Sequence, residues 1–333
     1  MHKTAVVILN YNGVDFLRQF LPGVIANSPD ADVIVADNCS TDTSLDYLRT
    51  EYPELRLIVF EENYGFTGGY NRAIAQITHE YSVLLNSDIE VTPNWITPII
   101  TFMDQHPEVA ACQPKIKAFH DKDKFEYAGA AGGFIDSLGY PYCRGRVFDT
   151  LETDTGQYDQ TMETFWATGA AMFVRTADYK NIGGLDEEFF AHMEEIDLCW
   201  RLQRSGRKVY CIPQSVVYHV GGGTLSKINP RKTYLNFRNN LSMILKNESL
   251  DNLIWKLPVR LSLDWLSAIK FWKDDSFGHF LAVLKAHRDF FWRIPLNLKK
   301  RKQIKNKTLS IQPKIPFVPF RYFIKKQQTF QEL

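Results

Sequence analysis

The sequence predicts an α/β fold: a mostly parallel central sheet flanked by helices, with a helical C-terminal extension. Three observations carry this reading. Four short apolar runs in the first ninety residues each end in a polar loop, and segments with helical spacing of apolar residues separate them, the alternation of a parallel, helix-covered sheet. With 333 residues, 45% hydrophobic and 23% charged, the chain has an ordinary globular composition and room for one large or two moderate domains. The net charge of +1 hides a division: residues 1–223 hold 17 basic and 31 acidic groups, residues 224–333 hold 22 and 7. The character of the sequence changes from Asn240 onward, and we divide the chain into residues 1–240, an α/β domain, and 241–333, a basic amphipathic helical region.

The elements follow in order. Ala5-Val6-Val7-Ile8-Leu9 reads as a buried strand closing at the turn signal Asn10-Tyr11-Asn12-Gly13. Phe16, Leu17, Phe20, Leu21 and Val24 then recur at helical spacing. A second strand, Asp32-Val33-Ile34-Val35-Ala36, ends in Asp37-Asn38-Cys39-Ser40-Thr41-Asp42, where Ser40 or Thr41 is expected to cap the next helix. A third strand, from Leu55 to Phe60, leads to Asn63-Tyr64-Gly65-Phe66-Thr67-Gly68-Gly69. That segment lacks the GxGxxG spacing and follows the third strand, so a dinucleotide-binding oxidoreductase loses its main support; its glycines fit either close approach to a ligand or a tight turn. A helix over 72–77 precedes the fourth strand, Ser82 to Leu85. A helix with Trp95, Ile96, Ile99, Ile100 and Met103 and a strand at Val109-Ala110-Ala111-Cys112 come next. Residues 118–160 have no clear period and read as long loops with short strands, the place for variable specificity. Lys208-Val209-Tyr210-Cys211-Ile212-Pro213 reads as a short edge strand.

Chemistry concentrates at a few of these strand ends. The fourth strand stops at Asn86-Ser87-Asp88, which brings a carboxylate to the carboxyl edge of the sheet, where open α/β sheets bind ligands. Asp88 fits an oxygen ligand for a hard divalent cation that bridges phosphates, or a cap for the helix starting near Pro93. Glu194, Glu195 and Asp197 crowd one helix start. Part of the cluster fits capping, since negative side chains favour a helix N-terminus. Asp197 pairs with Arg201 at i+4, which leaves Glu195 least explained locally; a carboxylate among like charges has a raised pKa, which helps it accept a proton. His219 follows a strand and precedes Gly221-Gly222-Gly223, which fits either a ligand or a satisfied polar group. The five cysteines are scattered and form no CxxC, against a disulfide framework or a zinc site and in keeping with a reducing compartment.

Residues 7–12, 37–42, 63–71, 84–88, 168–175, 183–202 and 217–222, in that order, resemble the motifs of the bacterial family 2 glycosyltransferases with the GT-A fold (a Rossmann-like nucleotide-diphospho-sugar transferase fold), in particular the rhamnosyltransferase-like branch. The resemblance implies a metal-dependent, inverting transfer from a UDP- or dTDP-sugar, dTDP-rhamnose among them, to a glycan or lipid-linked acceptor in cell-surface polysaccharide synthesis. It assigns donor binding to Asn10, Tyr11, Asp37, Asn71 and Asn86. It assigns Mg²⁺ or Mn²⁺ to Asp88 and His219, and the sugar or acceptor pocket to Trp166, Thr168, Gly169 and Asp186. The family's Asp-x-Asp reads Asn86-Ser87-Asp88 here, and its Glu-Asp-x-Asp reads Glu194-Glu195-Ile196-Asp197, so the catalytic base is Glu195 or Glu194. Those departures keep a second reading in view, an inactive nucleotide-sugar-binding module of the same fold. A polymer-exporting synthase is disfavoured, because no stretch reaches the roughly 18 uncharged apolar residues of a membrane span.

The C-terminal region repeats Leu250, Leu253, Ile254, Leu257, Leu261, Trp265, Ile269 and Trp272, then Phe277, Phe280, Leu281, Leu284 and Phe291, at helical spacing, with Pro258 as a break or fresh start. The opposite faces carry Lys256, Arg260, Lys270, Lys273, Lys285 and Arg288. Basic helices with an aromatic apolar face lie on anionic membrane surfaces, and the expected location is cytoplasmic, peripheral at the inner face of the cell membrane. Lys299-Lys300-Arg301-Lys302 is no nucleic-acid signature in a chain whose first two thirds are acidic. The sequence leaves the oligomeric state open.

Overall fold

The structure is a computed structural model; it describes residues 2–221, 229–274, 276–304, 309, 312–313 and 315–333. Along the chain run β1 (Thr4–Asn10), α1 (Val14–Ala26), β2 (Ala31–Asp37), α2 (Ser44–Glu51), β3 (Arg56–Val59), α3 (Gly65–Ala75), β4 (Tyr81–Asn86), β5 (Ile89–Val91), α4 (Thr97–Gln105) and β6 (Val109–Ala118). Then come β7 (Gly133–Ile135), β8 (Pro141–Cys143), β9 (Arg146–Val147), β10 (Thr150–Leu151), β11 (Met162–Glu163), β12 (Ala171–Arg175), α5 (Thr176–Asn181), α6 (Glu194–Arg204) and β13 (Lys208–His219). Among the described residues, α7 (Pro230–Asn247), α8 (Leu250–Asp274), α9 (Phe277–Trp292) and α10 (Ile294–Arg301) follow.

Among the described residues the main sheet has nine strands, in the order β3-β2-β1-β4-β12-β6-β13-β11, with β5 against β13. The β3-β2-β1-β4 half is parallel, and β12 runs antiparallel between β4 and β6. Strands β1, β2 and β4 are almost wholly buried, as continuous β-branched and leucine runs require when helices cover both faces. Register brings Asn10 opposite Asp37, and Leu9 opposite Asn86, so the three polar strand ends share one edge. Residues 118–160 form a small separate sheet, β10-β9-β8-β7.

Several local expectations change. The glycine-rich segment is no loop: α3 begins at Gly65. A Cβ on Gly69 would stand 2.7 Å from Leu9 Cδ1, so the glycine lets the helix lie directly on β1. Neither Ser40 nor Thr41 caps α2; the Ser44 N–H donates to Asp42 Oδ1 at 3.0 Å, and Ser40 turns to Asn10. The stretch Lys208–Pro213 is neither short nor an edge, because β13 continues to His219 between β6 and β11, and a register shift between Ile212 and Val216 absorbs the proline. Pro258 breaks nothing: α8 runs through it. The division at residue 240 falls inside α7, which therefore joins the two expected parts.

Candidate active site

The edge formed by the carboxyl ends of β1, β2 and β4 gathers most of the expected side chains. Asn10 is buried; its Nδ2 donates to Asp37 Oδ2 at 3.0 Å and to Ser40 Oγ at 3.1 Å, while its Oδ1 has no partner. Asp37 also accepts the Ser40 N–H at 2.9 Å. Tyr11, half exposed, projects beside them. Asn86 ends β4, its N–H donating to Ala170 O at 2.9 Å.

Asp88 occupies the tight turn between β4 and β5 and caps no helix, since α4 starts only at Thr97. Its partner comes from the end of β13, where His219 pairs in register with Ile89. Asp88 Oδ1 lies 3.2 Å from His219 Nε2, and Glu126 Oε2 lies 3.2 Å from His219 Nδ1. All three residues are buried. Burial alone would push the imidazole down; the two carboxylates outweigh it and raise its pKa to about 10. Glu126 was not foreseen: it sits in the aperiodic stretch after β6, and nothing local marks it. Of the three glycines beside His219, only Gly221 is described; its Cβ position would lie 2.8 Å from Glu126 Oε1. Gly222 and Gly223 lie outside the described residues.

Among the described residues no three or more His, Cys, Asp or Glu side chains are gathered as a metal cage. The donors at this corner are an Asp88 carboxylate oxygen and His219 Nε2, which would give up its proton to a cation bound there. That partial set fits a Mg²⁺ or Mn²⁺ ion, which takes few protein ligands and completes its shell with substrate phosphates and water.

Helix α6 supplies the carboxylates. Glu194 is buried with Oε2 unpartnered; burial, and then the charge of Glu195, push its pKa well above the ordinary range. Glu195 is partly exposed, its Oε2 also lacks a partner, and burial raises it to about 7. A Cβ on Gly169 would lie 3.7 Å from Glu195 Cβ and 3.3 Å from Phe66 Cζ. Gly169 precedes Ala170, which bonds Asn86, so the glutamate reaches the same edge as the end of β4. One turn on from Glu194, Asp197 is likewise buried yet differs in kind. Burial works against its charge, but Lys246 Nζ at 2.9 Å and Arg201 Nε at 2.8 Å hold it low.

Four expected residues are engaged by contacts within the protein. Trp166 is buried, donating from Nε1 to Phe134 O at 3.0 Å with its ring under Gly133. Asn71 spends its amide on the 179–187 segment, accepting from Tyr179 Oη at 2.7 Å and the Leu185 N–H at 2.9 Å, and donating to Leu185 O at 2.8 Å. Asp186 is locked between Lys246 and Lys300. Thr168 is buried, its N–H on Gln113 Oε1. A cavity of about 450 Å³ lined by Ile25, Asp32, Arg56 and His79 opens at the opposite, amino edge of β2 and β3, away from all of these groups.

The model of one family, glycosyl transferase family 2, matches residues 5–178. A curated N-acetylglucosaminyl-diphospho-decaprenol L-rhamnosyltransferase of Mycobacterium tuberculosis is 27% identical over 64% of this chain and 75% of its own length. The rhamnosyltransferase WbbL of Escherichia coli K12 is 22% identical over 64% of this chain and 82% of its own. Among solved structures, GalNAc-T7 with UDP, GalNAc and Mn²⁺ superposes with a TM-score of 0.59 at 15% identity, covering 90% of this chain and 58% of that one. The last likeness bears on the fold alone.

Proposed function

The chain belongs to glycosyl transferase family 2 and is a glycosyltransferase; on that premise we propose that it moves a sugar, with inversion, from a UDP- or dTDP-sugar to a glycan or lipid-linked acceptor in cell-surface polysaccharide synthesis. Its rhamnosyltransferase relatives favour dTDP-rhamnose as donor and a polyprenyl-diphosphate-linked sugar as acceptor. The observation that carries the reading is Glu195, a carboxylate with one oxygen, Oε2, unpartnered, on the strand-end edge, with a pKa near neutrality.

In this mechanism Asn10, Tyr11, Asp37 and Asn86 receive the nucleotide at the sheet edge. Asp88 and His219 would hold the divalent cation, with Glu126 behind the imidazole. Such an ion, when bound, offsets the charge that develops on the departing diphosphate. Glu195 takes the proton of the acceptor hydroxyl as that oxygen attacks the anomeric carbon. A single displacement inverts the configuration. Glu194 is the poorer base, because it lies deeper and its own proton is held more tightly.

The base works when ionised, so the rate should rise with pH through about 7. Glu195→Gln should lose at least about a hundredfold in kcat, read as release of nucleoside diphosphate from dTDP-rhamnose and from UDP-N-acetylglucosamine. A near-normal rate would move the role to Glu194. Donor binding is tested apart from turnover by thermal shift with UDP and dTDP, each with and without Mn²⁺; the shift should need Mn²⁺ and vanish in Asp88→Ala.

We further propose that the α8–α9 hairpin rests on an anionic bilayer. Among the described residues no helix is long and apolar enough to cross a membrane. The hairpin instead turns Ile254, Trp265, Leu266, Trp272, Phe277 and Phe291 outward, with Lys270, Lys273, Lys285 and Arg288 exposed around them. Two copies pressed face to face would bring like charges together, whereas an anionic surface would not.

A further inference from the structure

The segment that leads into α6 has an unfavourable backbone. Phe190, His192 and Met193, none of them glycine, have φ of 64°, 70° and 71°, and non-glycine residues pay for this left-handed region. Such a conformation persists only where its surroundings over-determine it. Here the surroundings are two buried side chains of α7. Asn239 Nδ2 faces Phe189 O at 3.0 Å, Ala191 O at 2.9 Å and His192 O at 2.8 Å. Arg238 Nη2 donates to Glu188 O at 2.9 Å and Phe189 O at 3.2 Å. Arg238 also donates to Asn239 Oδ1, from Nε at 2.9 Å and Nη2 at 2.7 Å, which fixes which end of the amide meets the carbonyls. On its other side the segment closes over the start of α3, with the Phe190 ring above Gly65.

We propose that Arg238 and Asn239 are positioning residues for sugar transfer: by holding the carbonyls of 188–192 they set the left-handed entry into α6, and so aim Glu195 at the strand-end edge. This rests on the reading of Glu195 as the base. Both residues, like Glu195 itself, lie outside the 5–178 stretch matched by the family model, so the clamp and the base it aims come from the same part of the chain, beyond that stretch.

The test uses the full chain. Asn239→Asp keeps the shape and the Arg238 contact but turns an acceptor toward three acceptors. We expect a loss of tenfold or more in kcat, a donor KM within about twofold of wild type, and a displaced pH midpoint, read as nucleoside diphosphate release from dTDP-rhamnose and UDP-N-acetylglucosamine. Amide hydrogen exchange, which needs no turnover, should speed up over 188–196. Unchanged exchange there, or an unchanged kcat and pH profile, overturns the proposal. Should Asn239→Asp fail to fold, Arg238→Lys reads the same contact, since it keeps the charge and loses the planar fork; a severalfold loss in kcat is expected, and none overturns the proposal. Glu195→Gln run alongside separates the two readings. If Glu195→Gln keeps its rate while Asn239→Asp loses it, the base assignment falls and the clamp stands. If Glu195→Gln alone loses its rate, the clamp falls.

Discussion

Helices α1 and α8 are both two-faced, and they bury opposite faces. On α1 the inward stripe is Leu17, Phe20, Leu21 and Val24. On α8 it is Leu253, Lys256, Arg260, Asp264 and Ala268, while Ile254, Trp255, Trp265, Leu266 and Trp272 face out. A helical period says that a helix has two faces; what the neighbours offer decides which one turns inward. Beneath α1 lie apolar side chains of the sheet. Beneath α8, Glu248 meets Lys256, and Asp264 meets His287 and Arg260. The Arg260 guanidinium lies 3.6 Å from the centre of the Tyr140 ring. The charges have gone inside and an apolar stripe is left outside, and among the described residues nothing covers it.

The largest expected effect tests whether those buried charges hold α8 in place. Arg260→Ala removes the Tyr140 stack and the bond to Leu138 O, and leaves Asp264 buried with His287 alone. Breaking a buried pair in this way costs about 3–5 kcal/mol, measurable by urea denaturation. A cost under about 1 kcal/mol would mean that α8 is held by something else, and the contrast with α1 would collapse. On the other side of the comparison, Leu17→Ala should cost about 2–5 kcal/mol by cavity formation and leave vesicle binding unchanged. A change in vesicle binding would show that the two helices are not independent in function.

The same contrast explains what the sequence disclosed. Strands β1, β2 and β4 were legible because a run buried on both faces is apolar throughout and its polar terminus marks the edge. Asn10, Asp37 and Asp88 could be found on those grounds. Glu195 stood out because Asp197 already had Arg201 one turn along, a contact that α6 makes at 2.8 Å. Glu126 could not be found, since it reaches His219 from a distant stretch without periodicity. Lys246 was equally hidden: it neutralises Asp186 and Asp197 from another helix, and no local pattern ties a lysine on α7 to a carboxylate on α6. The internal bonds of Trp166 and Asn71 were hidden for a related reason. Both are polar-tipped residues, and only tertiary contacts reveal that Phe134 O and the Leu185 backbone take up their hydrogen bonds.

The smallest expected effect on stability is also the sharpest test of the outward face. Ile254, Leu266 and Trp292 are 79%, 63% and 81% exposed, so changing all three to serine removes little packing and should shift folding stability by no more than about 0.5 kcal/mol per site. Each apolar side chain that enters a bilayer gains about 1.5–3 kcal/mol on full burial, so partial insertion of three predicts at least a tenfold loss of retention on phosphatidylglycerol-containing vesicles. High salt separates the two contributions. Screening at 1 M contracts the Debye length to about 3 Å, which should weaken the contribution of Lys270, Lys273, Lys285 and Arg288 and leave the apolar part intact. Retention that disappears entirely in salt would make the contact electrostatic and the inverted stripe irrelevant to it. Retention unchanged in the triple variant, with a shift from dimer to monomer in its place, would make the outward face of α8 a contact between copies of this chain.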